Sequence, residues 1–253
     1  MMNTLEWKQE DGISWIALSR PELRNAVNYE MMDELDEILH KIEATDDKIV
    51  VMTGSGNRAF CSGGDLSLFH SLYTEAEAYG MLSKMGQILK RIFLFPKPTV
   101  ALLNGAAVGG GCELITACDF RIARRNTKFG FVQGSLEITT GWGGGTMLFE
   151  RLKPHDAMTY LMTSQLFAAE KGFEDGFIHQ LINDDENLED GLRQFLNPYL
   201  KQSANVLSAY KKIWLNKFDL ATFEENVEKE IRNCSKLWEK EEHHAAVRRF
   251  LNK

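Results

Sequence analysis

Pro98-Thr99-Val100-Ala101-Leu102-Leu103-Asn104-Gly105-Ala106-Ala107-Val108-Gly109-Gly110-Gly111-Cys112-Glu113-Leu114 is the stretch that decides the fold. Thr99 to Leu103 is a short, unbroken apolar run after a proline, the pattern of a strand buried on both faces. A loop follows, and three glycines stand where a helix begins at about Gly111. Glycine there lets the main chain come close to a ligand. The first-turn N–H groups have no partner within a helix and point outward as its positive end.

The same arrangement occurs upstream. A buried strand, Lys48 to Thr53, closes at Gly54-Ser55-Gly56-Asn57 and leads to Arg58-Ala59-Phe60-Cys61-Ser62-Gly63-Gly64-Asp65-Leu66. That loop lies at the carboxyl edge, where open α/β sheets bind ligands. Neither loop is a phosphate loop of the G-x-x-x-x-G-K-[ST] type, and neither has the dinucleotide pattern G-x-G-x-x-G. Tight packing of a helix start against a sheet accounts for one glycine triplet equally well. Two such loops from successive units, however, are able to put two N–H donors on one oxygen. That is an oxyanion hole, with each donor worth about 3–4 kcal/mol of barrier.

Further outward, Thr4 to Lys8 and Ile13 to Leu18 alternate around Glu10-Asp11-Gly12, which predicts a hairpin. Met31, Met32, Leu35, Ile38, Leu39 and Ile42 recur at helical spacing, and a second helix is expected over about 75–93. The order strand, strand, helix, strand, loop, helix, strand, loop, helix predicts an α/β domain with mostly parallel strands. Beyond Pro154 strands nearly vanish. The segment from about Glu186 onward reads as consecutive helices, ending in a long charged stretch, Phe223 to Leu251, with an apolar seam at Val227, Ile231, Leu237 and Val247. Such a helix packs on another subunit or covers its own. We therefore divide the chain into a core, 1–190, and a C-terminal helical region for oligomerisation, 191–253.

A formal net charge of −7 provides no global basic field for nucleic acid or an anionic membrane. Lys84, Lys90 and Arg91 are too sparse on their helix for an RNA-binding face. The four cysteines, Cys61, Cys112, Cys118 and Cys234, form no C-x-x-C pair and no zinc spacing with histidine, so reduced, buried thiols and no metal are expected. Met1 to Trp7 lacks a basic region followed by an apolar run, and no apolar stretch reaches a membrane span. A cytoplasmic location is the expectation.

These motifs together resemble the crotonase, or enoyl-CoA hydratase/isomerase, superfamily over nearly the whole chain. Ser19-Arg20-Pro21-Glu22-Leu23-Arg24-Asn25-Ala26-Val27 matches its opening motif. Ala59 to Leu66 matches its first oxyanion loop, and Pro98 to Leu114 its second. Ala117-Cys118-Asp119-Phe120-Arg121-Ile122-Ala123 and Phe129-Gly130 follow in the family's order. The resemblance implies a spiral of ββα units followed by helices, assembled as a homotrimer or homohexamer. It implies an acyl-CoA substrate, with coenzyme A part of that substrate and no separate cofactor. By the same resemblance the oxyanion donors are the N–H groups of Gly64 and Gly110. Arg24 and Ala26 lie beside the CoA nucleotide, and Ala59, Ser62 and Leu66 along the adenine and pantetheine path.

Glu113 lies one turn beyond Gly110 and matches one of the two glutamates that handle water in hydratases. A glutamate in a first turn is also favoured by the helix dipole alone. At the position of the second glutamate stands Gln133, which orients by hydrogen bonds but takes up no proton at neutral pH. Glu137 is four residues further on. Ile138-Thr139-Thr140-Gly141-Trp142-Gly143-Gly144 resembles the ethylmalonyl-CoA decarboxylase branch more than the hydratases, and Trp142 narrows that side of the pocket. Every reaction of the family passes through a thioester enolate or something close to it. Hydration calls for two carboxylates, whereas isomerisation runs on one and decarboxylation needs no base. The general expectation is a hydratase/isomerase-family enzyme. The alternatives are an acyl-CoA decarboxylase and a catalytically silent CoA-binding or assembly protein.

Overall fold

The computed structural model describes residues 2–252. Strands β1 (Leu5–Glu10) and β2 (Ile13–Leu18) form the expected antiparallel hairpin. Its turn residues, Asp11 and Gly12, both have positive φ, which matches the twist of the paired strands. A 3-10 turn at Pro21–Leu23 leads to α1 (Tyr29–Glu43), where the Asn28 side chain accepts the Met31 N–H at 2.8 Å. Next come β3 (Ile49–Gly54), β4 (Ala59–Cys61), α2 (Leu66–Phe69) and α3 (Glu75–Phe93). Thr74 and Glu77 form a reciprocal capping box at the start of α3. The next unit is β5 (Thr99–Leu103), β6 (Ala106–Val108) and α4 (Gly110–Ala117). β7 (Phe120–Arg124) and β8 (Lys128–Gly130) then pass through a 3-10 turn, Gln133–Leu136, to α5 (Gly144–Phe149). The remainder is α6 (Pro154–Met162), β9 (Phe167–Ala168), α7 (Ala169–Glu174), β10 (Gln180–Ile182), α8 (Leu188–Leu200), α9 (Ala204–Leu215), α10 (Leu220–Trp238) and α11 (Glu241–Leu251).

The larger sheet runs β1-β2-β3-β5-β7-β10 and the smaller β4-β6-β8-β9. Successive units place one strand in each sheet and then turn back through a helix, which is the expected ββα spiral. Pairing is parallel except at β1–β2 and β8–β9. The sequence reading took the segments carrying the glycines as loops throughout. In the structure both begin with three-residue strands, β4 and β6, which lie beside one another in the smaller sheet. Three residues are too few to display an alternation. The charged stretch Phe223 to Leu251 also breaks, at Glu239 and Lys240, into α10 and α11.

Continuous apolar runs in β2, β3 and β5 bury both faces of the larger sheet. Trp15, Ile49, Val51, Val100 and Leu102 point to one side, where Leu192 and Leu196 of α8 and Leu207 of α9 cover them. Ile16, Val50, Met52, Ala101 and Leu103 point to the other side, into the main core. Helix α10 contributes Phe223, Val227, Ile231, Cys234 and Trp238 to that same core. Arg151, lying between the rings of Phe93 and Trp214 at 4.5 and 4.3 Å, helps to seat α9. Asp119 accepts from both Arg151 and Lys211 and completes that junction. All four cysteines are free and buried. No helix among the described residues is long and apolar enough to cross a membrane.

Candidate active site

The first glycine loop is pinned by an isolated parallel bridge between Val27 and Gly64. The Val27 N–H donates to the Gly63 carbonyl at 2.8 Å, and the Asp65 N–H donates to the Val27 carbonyl at 2.9 Å. Both neighbours of the Gly64 N–H are thus engaged, while that N–H itself meets no acceptor among the described residues. Gly110 is the first residue of α4, so its N–H is free for the ordinary reason of a helix start. Gly63 (φ +95°) allows the two loops to touch: a Cβ there would lie 3.0 Å from the Gly110 nitrogen. Gly64 and Gly110, with their unpaired N–H groups, both line one cavity of about 480 Å³.

Trp142 forms the wall over both. A Cβ added to Gly110 would lie 2.2 Å from the indole, and one added to Gly64 would lie 3.6 Å from it. The rest of the cavity is largely apolar, with Phe69, Met81, Leu82, Val132, Leu136 and Ile138 among its lining. α10 and α11 close it with Cys234, Trp238, Ala246, Arg249 and Phe250. The sequence reading assigned no substrate contact to those helices. Their signal there was only an apolar seam among charges.

Glu113 is buried and lines the cavity. Its Oε2 accepts the N–H groups of Trp142 at 2.8 Å and Gly144 at 3.0 Å. Its Oε1 accepts Nε2 of Gln133 at 2.9 Å and the Gly141 N–H at 3.4 Å. Burial, and then the nearby carboxylate of Glu230, push Glu113 up to about 8, against the pull of those donors. Gln133 stands on the 3-10 turn, held by Glu113 through its amide nitrogen. Its Oε1 is buried without a partner, an acceptor left over beside the cavity. Glu137 caps that turn with φ 59°, is exposed, and lines a separate surface cleft with Glu241 and Glu242. It does not replace the missing second carboxylate.

Of the sequence-predicted residues, Gly64, Gly110, Glu113, Gln133, Ser62, Leu66 and Trp142 all line this one cavity. Arg24, Ala26 and Ala59 do not line it. Arg24 is exposed, with φ 53°, and its carbonyl accepts the Ser62 N–H at 3.1 Å. Ala26 and Ala59 are buried beneath the loop. Two residues that sequence reasoning passed over hold this frame. Arg20 donates to the Ala26 carbonyl at 2.6 Å and to Asp65 at 2.8 Å. Asn25 ties Arg20, Ser55 and Ala59 together. Glu230 was also missed, because it is one of many glutamates in a charged helix. No group of three or more histidine, cysteine or acidic side chains suited to a metal occurs among the described residues.

Comparison with known proteins shows the family and the fold. The family model described as enoyl-CoA hydratase/isomerase matches residues 8–253. The chain is 34% identical over 186 residues to a crotonyl-CoA hydratase of Syntrophomonas wolfei, covering 72% of this chain and 70% of that protein. It is 32% identical over 208 residues to an ethylmalonyl-CoA decarboxylase of Xenopus laevis, covering 81% and 69%. Among solved structures, an enoyl-CoA hydratase from Bacillus halodurans superposes with a TM-score of 0.89 at 23% identity, over 98% of this chain and all of that one.

Proposed function

The chain belongs to the enoyl-CoA hydratase/isomerase family, and from that premise we propose that it forms a thioester enolate between the N–H groups of Gly64 and Gly110 by decarboxylating a 2-carboxyacyl-CoA. The observation that carries this reading is the single carboxyl group in the cavity. Glu113 has Gln133 as its polar neighbour there, and no second acid lines the pocket among the described residues. An acyl-CoA of the ethylmalonyl or methylmalonyl type enters with its thioester oxygen on the two N–H groups. The Cα–carboxylate bond breaks, CO₂ leaves, and its electron pair becomes the enolate, whose oxygen the two donors stabilise. Glu113, held protonated near neutral pH by burial, gives its proton to Cα and regains one from water. Coenzyme A takes part only as a portion of the substrate.

Double-bond isomerisation is the second reading, favoured by one specific feature. A carboxyl with a raised pKa is also a stronger base once ionised, and one such group removes and returns a proton. Hydration of an enoyl-CoA ranks behind both, because Gln133 supplies neither acid nor base.

Purified protein offered ethylmalonyl- or methylmalonyl-CoA, a 3-enoyl-CoA and crotonyl-CoA separates the three. CO₂ release at the highest kcat/KM is the expected result, lost at least about 100-fold in Glu113→Ala. Crotonyl-CoA hydration as the most efficient reaction would overturn it. CoA binding without turnover of any of the three would favour a silent binding protein.

We further propose self-association. Met158, Met162, Leu166 and Phe173 are exposed apolar residues on α6, α7 and the segment between them. A trimer or hexamer of this chain would cover such surface.

A further inference from the structure

We propose that Glu230 is a positioning residue of this site, gripping the Thr140–Thr146 segment together with Glu113 and so holding the Trp142 indole over Gly64 and Gly110. The inference rests on the enolate reading of those two glycines. One short segment is held by two carboxylates. Glu113 takes the N–H groups of Gly141, Trp142 and Gly144. Glu230 takes those of Gly145 at 3.0 Å and Thr146 at 2.7 Å, with the Thr146 hydroxyl at 2.6 Å. Between the two grips the segment has little freedom to shift. That matters because the indole lies against the very glycines whose N–H groups must meet the enolate oxygen.

Glu230 does not line the substrate cavity. It faces a second cavity of about 550 Å³ behind the segment, with Thr140, Thr146, Asn226 and Asn233. It therefore acts through its neighbours and touches no reacting atom. Its charge also reaches Glu113, and this gives a signature that a purely structural clamp lacks. Lys229 and Glu150 border the second cavity on the Glu230 side. Lys229 pairs with Glu225 on its own helix. The other titratable neighbours of Glu113, the thiols of Cys112 and Cys234, stay protonated because they are buried. Glu230, itself raised by burial, is thus the neighbouring carboxyl whose charge favours the protonated form of Glu113. Neutralising it makes Glu113 ionise at lower pH, so activity depending on the Glu113 proton fails at lower pH.

The test compares wild type with Glu230→Gln and Thr146→Val, the latter removing one hydroxyl donor and no charge. Two readouts are used: decarboxylation kinetics against pH, and binding of acetoacetyl-CoA, whose enolate has a near-ultraviolet band. For Glu230→Gln, kcat is expected to fall at least tenfold with KM changed less than threefold. The alkaline limb should move to lower pH by about one unit, and the enolate should bind at least tenfold more weakly. Thr146→Val should weaken enolate binding less and leave the alkaline limb in place. A Glu230→Gln protein with wild-type enolate binding and an unmoved limb overturns the proposal. If Glu230→Gln fails to fold, Thr146→Val with wild-type enolate binding and kcat overturns it alone. Absence of the enolate band in wild type refutes the Gly64/Gly110 reading instead, and so the two failures are told apart.

Discussion

Gly110 has almost no room for a side chain. A methyl group there would meet the Trp142 ring at 2.2 Å, so Gly110→Ala must push the indole aside or move the start of α4. With Gly110 as the proposed oxyanion donor, its displacement should lower turnover by at least about 100-fold. Gly80→Ala is the control: nothing lies within 4 Å of the added carbon in the middle of α3. That variant should retain activity and gain about 0.5–1 kcal/mol in a denaturant titration. Gln133 allows a sharper experiment. Its amide already bonds Glu113, so Gln133→Glu puts a carboxyl where a hydratase has its second one. Crotonyl-CoA hydration should rise at least about tenfold over wild type, assayed by loss of the enoyl absorbance. No gain would mean that something other than this amide keeps water chemistry out. At this scale the sequence was highly informative. Gly64, Gly110, Glu113, Gln133 and Trp142 were all named from motif positions, and all line one cavity.

Elements that carry the site are tied by contacts the motifs do not express. The turn at Pro21–Leu23, the Gly64 loop and α2 are joined through Arg20 and Asp65. The Arg20–Asp65 pair is mostly buried, and Asp65 also caps α2 by accepting from Ser67. The Ser67 and Arg20 partners hold Asp65 below its usual range despite burial. Removing Asp65 leaves the mostly buried Arg20 guanidinium with only the Ala26 carbonyl as partner among the described residues, so Asp65→Ala should cost about 1–3 kcal/mol in urea unfolding. Because the Arg20–Asp65 pair ties the loop carrying Gly64 to the Pro21–Leu23 turn, the same variant should also lower kcat. Unchanged stability in Asp65→Ala would show the pair to be incidental. The strands β4 and β6, which place the two loops side by side, were unreadable because each has only three residues. The helices were legible, since α1 and α3 display several turns of apolar periodicity.

Across the whole molecule, the buried carboxyl pair links stability to pH. Glu113 is raised from an ordinary 4.5 to about 8 in the folded chain. Between those values the folded state holds a proton that the unfolded chain has released. Its contribution is complete below the unfolded value and is lost as pH rises through the folded one. Unfolding free energy is therefore expected to decline between about pH 5 and pH 8, and Glu113→Gln should flatten that decline in urea titrations. A wild-type curve that rises over this window would contradict the assignment. Assembly belongs to the same scale. Met162, 73% exposed, is a good reporter: Met162→Glu should shift sedimentation from the trimer or hexamer proposed above toward the single chain.

The sequence by itself determined the strand-loop-helix units, the helix start that leaves the Gly110 N–H unpaired and the identity of Glu113. Each is local: a few residues of pattern specify a buried strand, a helix start and the donors that a helix start leaves. Only the tertiary structure decided what surrounds them. Trp142 lies against Gly64 and Gly110 while Glu113 and Glu230 hold its segment. Glu230, which holds Gly145 from 85 positions further along the chain, is an undistinguished glutamate until α10 packs against the core. Burial and proximity raise the Glu113 pKa and leave Gln133 as its companion, and both arise only when distant segments exclude water together.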